Sequence, residues 1–476
     1  MFLKHIEISQ VQCIERVTLD FSRATGGSAE ANPGLKAGSR ARAKPAMRQR
    51  TVLVGENGCG KSAALRAIAL VLAGSDALAD LLREPARWVR QGQKEGRIQA
   101  LVIDALGAER EISLTLRPEW NLRQTLAKNA GGLSALDGAL VHSPRNYFTL
   151  AYGASRRPAY SAPLNSRAIE RGQAHARARG MATLFAPEAT LMPIEPWAMR
   201  VDKGTKAGKS APAAADAAAG VGVAALRQAL KKLLPGVTLE GIDRKRGELR
   251  FKTADGTLAF TQLSHAHQTM ANWCADVLYR IGACFEGDAA PLKARGVLLV
   301  DGLDLHLHPV WQRGLLDAIS AALPHLQLVA TTNSPMLAQQ LRAQELHVLA
   351  RPGPKKGVLA RVVQGDPSQL TLSQMMSPLF GVDTGDSARI AALRGKARAR
   401  GGALAGHEIE ELAQLSPVDS LPLAMREQLK ASAELADAVW RASRTKGAPP
   451  QLDTEKLRLK MGERIRSAAL RARGAA

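Results

Sequence analysis

Apolar side chains near the start of the chain recur at every second position, Ile6 and Ile8, then Val17, Leu19 and Phe21, the period of a strand with one buried face. The pattern predicts two strands of a small sheet over residues 2–21. Residues 24–50 lose this periodicity and fill with Gly, Ala, Pro, Ser, Lys and Arg. Such a composition buries too little surface to offset ordering, so a mobile basic loop inserted in the fold is expected. Residues 51–54 are a short apolar run, and from Lys61 the residues Leu65, Ile68, Ala69 and Leu72 fall at helical spacing until Gly74 stops them. Strand, loop and helix thus follow one another directly.

Residues 75–160 mix a helical stretch over 78–88 with strand-like pieces at 98–103, 111–116 and 147–151, the pattern of a mixed lobe. An Ala-rich, low-complexity stretch at 202–222 separates two structured halves. After it, 224–234 reads as a helix, and 237–242 and 248–252 as strands. GVLLV at 296–300 and LQLVATT at 326–332 are the runs expected of central parallel strands covered on both faces, with a helix over about 309–323 between them. Beyond residue 386 the chain reads as helical and Arg-rich, broken by Gly401, Gly402, Pro449 and Pro450. There is no internal repeat.

With 476 residues, 46% of them hydrophobic, the chain can build a sizeable core, which excludes a disordered tail or a small stapled scaffold. Lys and Arg number 65 against 43 Asp and Glu, so the net charge is 65 − 43 = +22. That balance points to an acidic partner, nucleic acid above all. A proteome rich in Ala and Arg, its charge spread over linkers, gives the same balance. Cys13, Cys59, Cys274 and Cys284 show no CxxC spacing and read as reduced thiols of a cytoplasmic protein. MFLKHIEISQ lacks the apolar core of a secretory leader. No window reaches the ~18 apolar residues of a membrane span, so no membrane partner is expected.

Gly55, Glu56, Asn57, Gly58, Cys59, Gly60, Lys61 and Ser62 satisfy the phosphate-loop pattern GxxxxGK[ST], in the required context of a strand before and a helix after. The glycines allow the backbone to aim its amides at phosphate oxygens beside a helix N-terminus. The pattern assigns Gly55, Asn57, Gly58, Gly60 and Lys61 to the phosphates of ATP, and the Ser62 hydroxyl to magnesium. Gly208, Lys209 and Ser210 imitate the motif's end, but Lys203 stands where its first glycine belongs and no strand leads in.

Together with GENGCGKS, the segments VLLVDGLDLHLHPVWQ at 297–312 and LVATTNSP at 328–335 resemble the ABC-class ATPases of the RecF, SMC and overcoming-lysogenization group, most closely the Septu-type defence ATPases. The resemblance covers most of residues 1–385. It implies an α/β P-loop fold with a mostly parallel sheet and an inserted mixed lobe. Residues 1–200 and 223–385 would be the two halves of the ATPase core, 201–222 a linker and 386–476 a basic helical extension. It further implies a homodimer closing on two nucleotides, with Ser264 of the signature stretch LSHAHQ contacting the partner's nucleotide, and Asp301 holding magnesium. The catalytic Glu that follows that Asp in the family is Gly302 here. Asp304 matches a second acidic position, Asn333 stands where the family has a switch histidine, and Ala266 replaces the signature glycine. Asp304 and Asn333 are the remaining candidates for catalysis.

These departures fall on groups that sense or cleave the γ-phosphate, so nucleotide binding with slow or lost hydrolysis is expected; an ordinary ATPase using Asp304 or a partner residue is the alternative. Arg156 and Arg157 are candidates for phosphate or partner contact, with a solvated turn as the alternative. His306 and His308 match a subunit-contact loop rather than a metal site. Basic runs at Arg389, Arg394, Lys396, Arg398 and Arg400, and at Lys456, Arg458, Lys460, Arg464, Arg466 and Arg471, suit a phosphate backbone or a solvated helical face. No DxD cluster follows Pro335, so chemistry on DNA would need an effector nuclease on another chain. The function read here is a nucleotide-gated dimer acting with DNA or such a nuclease, in DNA maintenance or phage defence. A catalytically silent nucleotide-binding scaffold and the soluble motor of a membrane transporter are the alternatives.

Overall fold

A computed structural model describes residues 1–22, 48–104, 107–142, 148–158, 173–206, 221–285, 291–293, 295–353, 356–363, 365–382 and 388–399. Along them run β1 (Phe2–Val11), β2 (Ile14–Asp20), β3 (Arg50–Val54), α1 (Lys61–Leu72), α2 (Ser75–Leu82), β4 (Gly96–Ile103), β5 (Glu109–Leu116), α3 (Leu122–His142), β6 (Phe148–Tyr152), α4 (Gln173–Phe185) and α5 (Ile194–Lys206). Then come α6 (Val223–Leu233), β7 (Thr238–Asp243), β8 (Glu248–Thr253), β9 (Gly256–Ala259), α7 (His265–Cys284), β10 (Gly296–Val300), α8 (Pro309–Gln312) and α9 (Leu315–Ala322). Last come β11 (Leu326–Thr331), α10 (Pro335–Ala338), β12 (Leu346–Ala350), β13 (Val358–Val362), α11 (Leu372–Phe380) and α12 (Ala388–Ala399). The chain forms two compact units, Met1–Asp383 and Thr384–Ala476, and α12 is the described part of the second.

Ten strands form one sheet in the order β5-β4-β1-β2-β13-β12-β3-β11-β10-β6, and β7-β8-β9 form a second. The neighbours β12, β3, β11, β10 and β6 are parallel, as are β13 and β2, whereas β12–β13, β1–β2, β1–β4 and β4–β5 are antiparallel. The large sheet is therefore mixed, which corrects the expected mostly parallel one. The reason is connection length: β1–β2 and β4–β5 are joined by hairpins too short for a crossover. Nor do β1 and β2 make a small sheet of their own, since they join the large one through β4 and β13.

Alternation along the central strands sorts side chains into two cores. Val52 and Val54 of β3, and Leu298 and Val300 of β10, enter one; Leu53, Val297 and Leu299 enter the other, with α1. In the antiparallel half only one face is buried, by Leu3, Ile6, Ile8, Val17, Leu19, Ile98 and Leu114, all in the α1 core.

Side-chain amides and hydroxyls close the sheet where backbone pairing stops. At the β5 edge Asn129 of α3 accepts from Thr115 N at 2.6 Å and donates to Thr115 O at 2.7 Å. At the β6 edge Thr183 of α4 accepts from Gly153 N and donates to Ala151 O, both at 3.3 Å. Gln327, fully buried in β11, accepts from Leu3 N at 2.7 Å and donates to Leu3 O at 2.9 Å. Each covers strand groups that would otherwise be left unpaired.

Other boundaries shift for local reasons. The helix expected over 309–323 splits into α8 and α9 around Gly314, and the stretch over 78–88 ends as α2 followed by a short 3-10 turn at Pro85–Trp88. The basic loop expected over 24–50 closes before residue 48: Arg48 is buried, donating to Asp20 O and Gln344 O at 2.7 Å each, and Arg50 opens β3. Its remainder, residues 24–47, lies outside the described residues. The expected linker begins within α5, and its residues 207–220 lie outside as well, as does the second basic run. Arg389, Arg394, Lys396 and Arg398 lie on α12. Among the described residues no helix is long and apolar enough to cross a membrane.

Two measurements check this packing. Gln327→Leu keeps the volume but strips the partners from Leu3 N–H and C=O, and urea unfolding should show a loss of about 1–3 kcal/mol per orphaned group. His347 in β12 is buried, and burial reinforced by the Arg48 charge holds its imidazole down, to about 4. The unfolded chain takes up that proton near the ordinary ~6.5. The stability is therefore present above that value and lost as pH falls from about 6.5 towards 4. The urea midpoint should drop across that window, and less steeply in His347→Phe.

Candidate functional site

The parallel strands end together, and the functional candidates lie just beyond them. In register Leu53 faces Thr331 and Ala330 faces Val300, so the residues after β3, β11 and β10 share one edge of the sheet, the place where such sheets hold ligands. After β3 the chain turns through Gly55, Gly58 and Gly60, with φ of 150°, 79° and 83°. A Cβ at Gly55 would sit 2.2 Å from Leu349 O and 2.6 Å from Cys59 Sγ, so no other residue fits there. Lys61 curls back over the loop, donating from Nζ to Gly55 O at 2.6 Å and Glu56 O at 3.0 Å.

Helix α1 enters on Gly60, with no side chain capping its first turn, so the amides of that turn are left for an anion. The helix is held along most of its length by the core through Ala64, Leu65, Ile68 and Leu72, and that packing fixes the loop's exit. Ser62 lies half-buried on the first turn. All four cysteines are free, and burial pushes the Cys59 thiol up, away from thiolate.

Asp301 is buried at the end of β10, where its Oδ1 accepts from Thr331 Oγ1 at 2.6 Å. The same hydroxyl accepts from Gly302 N at 2.7 Å. Asp304 accepts from Thr332 Oγ1 at 2.6 Å, and Asn333 Nδ2 lies 3.4 Å from Asn57 Oδ1, which joins the β11 end to the phosphate loop. Gly302 has φ 59°, and a Cβ there would come 2.6 Å from Leu305 Cδ1. The backbone at position 302 is thus shaped for glycine.

Arg156 corrects one expectation. It is neither a phosphate nor a partner contact but a buried guanidinium donating to Gly153 O at 3.1 Å, Asp301 O at 2.7 Å and Gly302 O at 2.8 Å. Burial lowers its pKa to about 10, against the opposing pull of Asp301 and Asp304. Arg157 is exposed.

Ser264 caps the twenty-residue helix α7, with Oγ 2.7 Å from His267 Nδ1. Gln268 ties the approach by donating to Leu263 O at 2.7 Å. The Ala266 methyl packs against the core and lines a cavity of about 10 Å³ beside Arg156, Trp273 and Leu305, so it points away from solvent. The loop after β10 meets this helix through aromatic contacts: His265 against His306 at 5.3 Å and His267 against Trp311 at 4.8 Å between ring centroids. His306 itself holds φ 68°.

One polar group escaped sequence reasoning. Asp276, fully buried in α7, accepts from Tyr152 Oη at 2.8 Å, Met192 N at 2.7 Å and Arg280 Nε at 2.5 Å. Burial beside this carboxylate pushes the Tyr152 hydroxyl well above its ordinary value. The network ties α7 to β6, and an Asp and an Arg at i and i+4 inside an apolar helix were the only signals in the sequence.

The strand, glycine turn and lysine-led helix define an α/β protein of the P-loop type. No family model matches the chain. It is 23% identical to the Septu protein PtuA of Bacillus mycoides (strain KBAB4) over 349 residues, 73% of this chain and 40% of that protein. It is 27% identical to the Retron Ec83 probable ATPase of Escherichia coli over 124 residues, 26% of this chain and 23% of that one. An SMC head bound to the C-terminal winged-helix domain of ScpA covers 76% of this chain and 98% of its own, at 14% identity and a TM-score of 0.43. The expected resemblance to Septu-type ATPases is present in these alignments, and the chain spans less than half the length of the two curated relatives.

Arg156 offers a direct check of the site's frame. Arg156→Met leaves the Gly153 and Asp301 carbonyls without a donor and Gly302 O with Leu305 N alone, and should lower the unfolding free energy by about 3 kcal/mol in a denaturant titration.

Proposed function

We propose that this chain is an ATP-binding ATPase of the ABC class that works as a nucleotide-gated homodimer with DNA or an effector nuclease, in phage defence or DNA maintenance, and hydrolyses slowly. The observation that carries the reading is the phosphate loop: uncapped amides at the start of α1, a glycine turn in which Gly55 leaves no room for a side chain, and Lys61 held on the Gly55 and Glu56 carbonyls. Those donors suit a triphosphate, and Lys61 would exchange its loop carbonyls for phosphate oxygens.

The residues present also fit magnesium. Ser62 and Asp301 are oxygen donors, one at the start of α1 and one at the end of β10, both at the shared strand edge. A bound magnesium ion would neutralise charge on the β- and γ-phosphates. Thr331 keeps the Asp301 carboxylate in place, and Asn333 beside Asn57 is positioned to hydrogen-bond a terminal phosphate. Ser264 of a second copy would contact the same phosphate. The sequence likeness to PtuA and to a retron ATPase supports the defence setting.

A specific observation favours a second reading, the catalytically silent scaffold. The backbone at Gly302 is left-handed and a Cβ there would meet Leu305 Cδ1 at 2.6 Å, so the position after Asp301 offers no carboxylate to orient water, and Asp304 Oδ1 is engaged by Thr332 Oγ1.

Steady-state phosphate release separates the two. Enzymatic function predicts a rate above that of Lys61→Ala, reduced further by Asp304→Asn. A rate equal to that of Lys61→Ala, with ATP still bound by the unmodified chain, favours the scaffold.

A further inference from the structure

Ser264 Oγ has two neighbours in its own helix: His267 Nδ1 at 2.7 Å and the His267 backbone N–H, which it accepts at 3.5 Å. The imidazole packs on a neighbouring ring. It lies against Trp311, whose Nε1 donates to Leu233 O at 3.0 Å, and its own Nε2 is buried without a partner.

A neutral imidazole carries one N–H and one lone pair. With the proton on Nε2, a buried donor would go unpaired, which folded proteins rarely tolerate; a buried lone pair is less costly. The proton therefore belongs on Nδ1, donated to Ser264 Oγ. Nδ1–H and the backbone N–H then occupy both lone pairs of the hydroxyl. The serine's own proton is left to point outward, away from the helix, as a donor with no internal acceptor.

We infer that His267 is a positioning residue that makes Ser264 an outward-facing hydrogen-bond donor for the terminal phosphate of a nucleotide bound to a second copy of the chain. This rests on the reading of Ser264 as a contact across the dimer. It gives the signature stretch a source of orientation that does not depend on the missing glycine, whose replacement Ala266 packs inward.

The test is ATP-driven self-association of the full chain, followed by sedimentation with ATP and magnesium. Ser264→Ala and His267→Phe should each weaken it, on the order of ten- to a hundredfold, the scale of one hydrogen bond to a charged group. The double variant should be no worse than Ser264→Ala, because both remove one interaction. His267→Asn, whose amide N–H can replace Nδ1–H, should restore most of the loss, and a ring lost from packing alone would not be rescued. Thermal unfolding of each variant checks the fold. If His267→Phe associates like the unmodified chain while Ser264→Ala does not, the inference is overturned. If Ser264→Ala itself associates normally, the contact across the dimer is refuted and the inference with it.

Discussion

Parallel pairing of β3 with β11, and of β11 with β10, is the constraint on which the candidate site rests. It brings Gly55, Asn333 and Asp301 from three distant stretches of chain to one edge. Pairing alone would leave the acidic residue free to rotate; Thr331 fixes it by donating to the Asp301 carboxylate while accepting from Gly302 N. Arg156 then holds the same turn from beneath through the carbonyls of Asp301 and Gly302. A slip of one residue in β11 would move Thr331 to the other face of the sheet and undo both contacts.

Much of this was legible in the sequence. GENGCGKS is a local motif whose strand and helix flanks are contiguous with it, so the loop and α1 could be read directly. Runs such as GVLLV announce buried strands because both faces need apolar side chains. Partner choice is not local, however. Nothing in residues 2–21 tells that β1 and β2 extend the large sheet, because the hydrogen bonds that decide it come from β4 and β13. Long helices such as α3, with Gly131 and Gly132 inside it, carry too weak a periodicity to announce themselves; Gly132 is there because a Cβ would come 2.5 Å from Ser113 O.

At the site the sequence identified residue types but not their neighbours. Arg156 looked like a surface cation in YGASRR, and folding turns it inward, where it donates to three carbonyls around β6 and β10. Ala266 looked like an obstruction, yet its methyl joins the core. Gly302 carries more meaning in the fold than in the string: its left-handed backbone and the closeness of Leu305 make it a built feature of the turn. The glycine turn after β3 and the left-handed turn after β10 thus lie at one edge of the sheet, with the end of β11 between them.

The most direct measurement is a titration of the full chain with a fluorescent ATP analogue, with and without magnesium. Saturable binding that tightens with magnesium and is lost in Lys61→Ala is the predicted result. No binding at millimolar concentrations of the analogue, or equal binding by Lys61→Ala, would contradict the assignment of the loop after β3 as a triphosphate cradle.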